Sequence, residues 1–113
     1  MTYKLPLPPS ANKYWRLARG RLIVSDEAKR YKQTVGMLAR CDGAKLLTGP
    51  VALTLRVYRA RKSGDLDNFQ KILIDGLAGT FYKNDSQIRE IHAYLHDDRH
   101  SPRVEVEVTS CRD

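Results

Sequence analysis

The chain has 113 residues, 42% of them hydrophobic, and carries 20 Lys and Arg against 13 Asp and Glu, a formal net charge of +7. That length suits one domain, residues 1–113, built around a single core. The charge favours a polyanionic partner, nucleic acid first, although many small proteins are basic without one. No run approaches the roughly 18 apolar residues of a membrane span, and MTYKLPLPPSANKYW lacks the apolar centre of a signal peptide. Cys41 and Cys111 form no CxxC pair. A cytoplasmic protein with two lone thiols and no membrane partner is therefore expected.

Tyr3 to Leu7 alternates briefly and stops at PLPPS, where prolines remove backbone donors. YWRLARGRLIVS predicts a hairpin turning at Gly20. Ser25 reads as a helix N-cap, with Asp26 and Glu27 in the first turn. The helix that follows, to about Ala39, places Ala28, Tyr31, Val35 and Leu38 at core spacing. Its other face carries Lys29, Arg30, Lys32 and Arg40. VALTLRVYRA alternates as a strand with one wet face, and a second helix is predicted from Asp67 to Leu77, closed by Gly79. TFYKNDSQ is a short extended piece with a turn. IREIHAYLH and Val104–Val108 then read as two strands joined by the DDRHSPR turn, an antiparallel hairpin. Strand, hairpin, helix, strand, helix and two strands give an α/β (α+β) domain with a mixed sheet and two main helices.

RKSGDLDNFQKILIDGL gathers acids in a basic chain. On a helix Asp67, Lys71 and Asp75 share one stripe, while Phe69, Ile72, Leu73, Gly76 and Leu77 face the core. Asp65 and Asp67 alternate across Leu66, so an extended lead-in points both carboxylates the same way. The ordinary structural account is available: Asp67 a cap, Asp65 a solvated loop acid, Lys71 and Asp75 a surface pair. Against it stand the upstream basic run RARK and the further acid Asp85 in YKNDSQI. Asp oxygens completed by water suit Mg²⁺ rather than zinc, and an open Mg²⁺ site facing phosphate suits phosphodiester hydrolysis. Lys71 then either stabilises charge developing on phosphate or balances the acids.

GDLDNFQKILIDGL followed by YKNDSQI resembles the signature of the RusA-type Holliday junction resolvases, phage-associated and bacterial endodeoxyribonucleases. LPLPPSANKYWR and GRLIVSDEAKRY extend the resemblance over most of the chain, in the same order. It implies a RusA-like fold in which Asp65, Asp67 and Asp85 bind Mg²⁺, with Mn²⁺ able to substitute. It also implies that Lys71 is a functional lysine, and that Asp75 is a further helix acid or one that only orients Lys71. One departure is visible: the family often has paired acids before the S/A-x-Q segment, and here the first is Asn84, whose carbonyl still offers a ligand. The family also implies a homodimer that nicks a four-way DNA junction once per subunit. Small size and family fit a prophage origin.

Asn12, Tyr14, Trp15 and Arg16 form an aromatic and basic stretch that suits stacked bases and phosphate, with Trp15 as a core residue the alternative; the resemblance to a junction-opening family implies that Asn12 and Arg16 lie close to DNA. Arg19, Arg21, Lys29, Arg30, Lys32, Arg59, Arg61 and Lys62 form the expected phosphate-contacting set, some of them merely solvated. His92, His96 and His100 have zinc-like spacing, but the apolar residues around them alternate, which places the first two on a strand's wet face. Two other activities fit the same residues: binding branched DNA without cutting it, and cutting other branched or single-stranded DNA. A pure binder gains nothing from carboxylates facing phosphate.

Overall fold

A computed structural model of the chain describes residues 1–111, apart from the side chains of residues 11 and 12. The elements run β1 (Tyr3–Leu5), α1 (Ala11–Tyr14), β2 (Trp15–Ala18), β3 (Arg21–Val24), α2 (Asp26–Cys41), β4 (Val51–Arg59), α3 (Leu66–Leu77), a 3-10 turn (Asp85–Gln87), β5 (Ile88–Asp97) and β6 (Arg103–Ser110). Four strands form a mixed sheet in the order β1-β6-β4-β5, and β2 pairs with β3 as a separate ribbon. The α/β class with two main helices is as the sequence predicts.

Alternation in β4 sets the core. Val51, Leu53, Leu55 and Val57 are at most 1% exposed, and burying each contributes roughly 1.5–3 kcal/mol. Across the strand pairs they meet Val106 and Val104 on one side, Ile91, Ala93 and Leu95 on the other. Helices α2 and α3 cover this face with Val35, Ala39, Leu73 and Leu77. The two helices approach closely at Gly76, where a Cβ would lie 3.3 Å from the Tyr31 ring. The opposite sheet face is wet. There Arg103 lies 3.9 Å over the Tyr58 ring and Arg56 pairs with Glu107 at 3.2 Å.

Ser25 caps α2 as read: its Oγ accepts from Ala28 N at 3.1 Å and donates to the Lys13 carbonyl at 2.5 Å. The apolar stripe of α2 departs from the reading at its end. Ala39 is buried, while Leu38 turns outward and is 38% exposed.

The last two strands are not a hairpin. β5 pairs parallel with β4, and β6 pairs antiparallel with β4 on its other side. The turn from Asp98 to Pro102 therefore steps across the end of β4. It is fastened there, because Asp98 N donates to the Arg59 carbonyl at 2.8 Å and the Asp98 carboxylate accepts from Arg103 at 3.0 Å. Loop length does not distinguish these two arrangements; the placement of an apolar central strand does. No helix among the described residues is long and apolar enough to cross a membrane, and both cysteines are free.

Candidate active site

The segment before α3 decides where its acids stand. Gly64 has φ +89°, and the Arg59 guanidinium donates to its carbonyl at 2.8 Å. This tight lead-in starts the helix at Leu66, so the cap position falls to Asp65 and not to Asp67. Asp67 instead lies in the first turn and accepts from Asn68 N at 3.0 Å. With Leu66 helical, the extended alternation across it is lost, since positions two apart on a helix do not face each other. Asp65 occupies a cap position without making a side-chain cap hydrogen bond. It is an exposed carboxylate with no local use.

Further along α3 the stripe holds. Lys71 is exposed and, among the described residues, pairs with no acid. Asp75 is partly buried and accepts a hydrogen bond from the Tyr14 hydroxyl. Tyr14 is fully buried against Ala28 and Ile72, with the Trp15 ring edge-on at 4.7 Å. Burial first, then the hydrogen bond and charge of Asp75, hold the Tyr14 hydroxyl far above its ordinary pKa, so it remains a donor. Asp75 and Asp67 lie eight residues apart, about 12 Å along the helix axis. No single cation spans that gap, so Asp75 stands outside any site built on Asp65 and Asp67.

The third acid follows α3 in the chain and shares a cleft with Lys71 and Asp75. Asp85 is exposed in the first turn of the 3-10 segment, whose cap is Asn84. Asn84 Oδ1 accepts from Ser86 N at 3.1 Å and from the Ser86 hydroxyl, so the oxygen expected to offer a metal ligand is already engaged. Gln87 completes a capping box. Its Oε1 accepts from Lys83 N at 2.7 Å and Asn84 N at 3.2 Å, and its Nε2 donates to the carbonyls of Leu47 at 2.8 Å and Gly49 at 2.9 Å. All its hydrogen-bonding capacity holds the Asp85 turn against the loop before β4.

An open cleft of ≈ 650 Å³ joins these parts: Lys71, Asp75, Asn84 and Asp85 line it, with Lys83 beside them and Trp15 and Leu22 on one wall. A second cleft, ≈ 450 Å³, lies between the proline turn and the residues before α3, lined by Leu7, Pro8, Arg59, Arg61, Gly64 and Phe69. Asn68 and Ile72 belong to both, and form the shared wall. Asp65 and Asp67 line neither cleft; they mark the exposed amino end of α3.

The basic set divides. Arg59 is committed to Asp97 at 2.5 Å and to Gly64, and is a structural tie. Arg16, Arg19, Arg21, Lys29, Arg30, Arg61 and Lys62 are exposed, and none pairs with an acid among the described residues; Lys32 is half-buried. The side chain of Asn12 lies outside the described residues. His92 sits 3.3 Å from Glu90, His96 stacks on Tyr58 with rings 4.9 Å apart, and His100 lies in the turn.

Among the described residues no three His, Cys, Asp or Glu side chains converge into a ready cage. Mg²⁺ needs none, since it is commonly held by one or two carboxylates with waters and substrate phosphates completing the shell. Asp65, Asp67 and Asp85 are oxygen donors of the kind such an ion takes, and they stand apart from one another: the first two at the amino end of α3, the third in the larger cleft.

Gln87, Asn68, Lys83 and the Tyr14–Asp75 bond are what sequence reasoning missed. The spacing Asn84-x-x-Gln87 was a visible capping-box signal; the carbonyls that Gln87 reaches, some 40 residues away, were not.

Residues 6–109 match the family model described as endodeoxyribonuclease RusA. The chain is 33% identical over 108 residues to the crossover junction endodeoxyribonuclease RusA of Escherichia coli, covering 93% of this chain and 90% of that one. It is 32% identical over 110 residues, with the same coverage, to the enzyme of that name from Enterobacteria phage 82. With a match that takes in the helix acids, the Asp85 turn and every strand beyond the first, this chain belongs to the endodeoxyribonuclease RusA family.

Proposed function

We propose that this chain is a Mg²⁺-dependent endodeoxyribonuclease that resolves four-way DNA junctions as a homodimer, with one nick per subunit. The whole chain, residues 1–113, serves as one catalytic domain. The observation that carries this reading is the unspent Asp65 carboxylate beside Asp67, exposed at the amino end of α3 in a chain of net charge +7. Such a group costs the fold nothing to give to a cation, and its like-charge neighbour gains from one.

In this reading Asp65, Asp67 and Asp85 hold the ion, and Mn²⁺ substitutes for Mg²⁺. When bound, the ion polarises the phosphoryl oxygen and lowers the pKa of a water. Lys71, one turn beyond Asp67, stabilises negative charge gathering on the phosphate. Asp75 keeps the stripe in place through Tyr14, and Gln87 holds Asp85 in its turn. Arg61 and Lys62 grip the neighbouring backbone, so junction affinity falls steeply with salt. A dimer matches the symmetry of the substrate, and paired nicks follow from one site per subunit.

The test compares cleavage of a mobile four-way junction with that of linear duplex, with and without Mg²⁺. Metal-dependent cutting confined to the junction is expected, and equal cutting of both overturns junction selectivity. Asp67→Asn is expected to bind the junction and not nick it. Wild-type nicking by that variant overturns the site.

A further inference from the structure

The β2–β3 ribbon has a composition that its fold does not use. Arg19 and Gly20 have φ of +53° and +74°, the positive pair that a two-residue hairpin turn requires. The turn fixes the register Trp15↔Val24 and Leu17↔Leu22, which puts these four apolar side chains on one face. Trp15 and Val24 root that face on Tyr14, Ala28 and Ile72. Leu17 and Leu22 extend beyond the root into solvent, 74% and 67% exposed. The opposite face carries Arg16 and Arg21, and Arg19 stands at the tip.

We propose that this ribbon is an apolar wedge for DNA: Leu17 and Leu22 press against unstacked base faces at the branch point while the arginines hold the flanking phosphates. Apolar side chains that enter between base steps unstack them, and a branch point has steps whose stacking is already interrupted. Two features select DNA as the occupant. Residues 15–24 contain three arginines and no acid, a charge that a polyanion neutralises and a second copy of the ribbon does not. Leu22 and Trp15 also line the cleft that holds Lys71 and Asp85, so bases parted by the wedge lead their phosphates towards those two side chains. The inference rests on the junction-cutting reading and adds the contact that makes a branch preferable to duplex.

The test uses the full-length chain and a four-way junction with 2-aminopurine at the branch point, whose fluorescence rises on unstacking. Binding is followed without divalent metal, and cleavage afterwards in Mg²⁺. Wild type and Leu17→Met/Leu22→Met are expected to raise the fluorescence on binding. Leu17→Ser/Leu22→Ser is expected to keep its melting temperature, bind within about threefold, lose the rise and cut at least tenfold more slowly. Should the double variant fail to fold, Leu17→Ser, at the more exposed position, carries the comparison. A serine variant with an undiminished rise, or a wild type that binds without one, overturns the wedge and leaves the proposed function standing. A serine variant that drops to a lower mass in light scattering assigns the ribbon to contact between copies and also overturns it. A wild type that neither binds nor cuts the junction overturns the proposed function itself.

Discussion

Asp65 and Asp75 stand ten residues apart on the α3 segment and are treated in opposite ways. Asp75 is partly buried and satisfied by the hydroxyl of a buried tyrosine. Asp65 occupies a cap position, where a carboxylate ordinarily turns onto backbone N–H groups, yet makes no such bond. One acid is built into the fold, and the other is kept out of it. Acid count along a helix therefore says little about ligation, and what each carboxylate already bonds says much more.

The sharpest way to test this division is to exchange the readouts. Asp65→Asn is expected to lower junction cleavage by about 10²–10³-fold, the scale for losing one preorganised electrostatic group. Its urea midpoint should stay near wild type, since exposed substitutions shift stability by about 0.5 kcal/mol or less. A matched loss of stability would show that Asp65 does cap α3. Asp75→Ala should invert the pattern, costing about 1–3 kcal/mol in urea unfolding because the Tyr14 hydroxyl is left buried and unpaired.

Gln87→Glu comes next. It keeps the oxygens that accept from Lys83 and Asn84 but sets a carboxylate oxygen against the carbonyls of Leu47 and Gly49. A loss of about 1–2 kcal/mol is expected, together with a higher Mg²⁺ concentration for half-maximal cleavage as the Asp85 turn loosens. An unchanged metal requirement would confine Gln87 to stability.

A further effect is in pH. Burial raises the hydroxyl pKa of Tyr14, Tyr31 and Tyr82 above its unfolded value. The stability this gives is fully present below the unfolded value, about pH 10, and is lost as pH rises beyond it, because only the unfolded chain releases those protons. Urea midpoints between pH 8 and 11 should fall towards the alkaline end. Tyr14→Phe should be less stable throughout, with a shallower fall.

Much of this was legible in the chain. The alternation of Val51, Leu53, Leu55 and Val57 marked the central strand, Ser25 announced α2, and the spacing of Asp67, Lys71 and Asp75 gave the stripe. What escaped were effects of distant partners. The start of α3 depends on Arg59 reaching the Gly64 carbonyl, and the fate of Asp75 depends on a tyrosine 61 residues away. The separation of β5 from β6 depends on which strand takes the middle of the sheet, and a five-residue connection serves either arrangement. Leu38 was misplaced because Ala39, a smaller residue one step on, fits closer to α3 and the sheet.

That sheet order has a consequence for synthesis. Among the described residues β1, at residues 3–5, finds its only partner in β6, through Tyr3↔Val106 and Leu5↔Val104, and β6 is also the sole antiparallel neighbour of β4. Chains are made from the amino end at about 5–20 residues per second, so the first strand waits for the last, and β4 keeps one bare edge meanwhile. Pairings this distant in sequence form slowly. A nascent chain halted before Val104 thus lacks the closing strand of its sheet, and both β1 and one edge of β4 stay unpaired until it arrives.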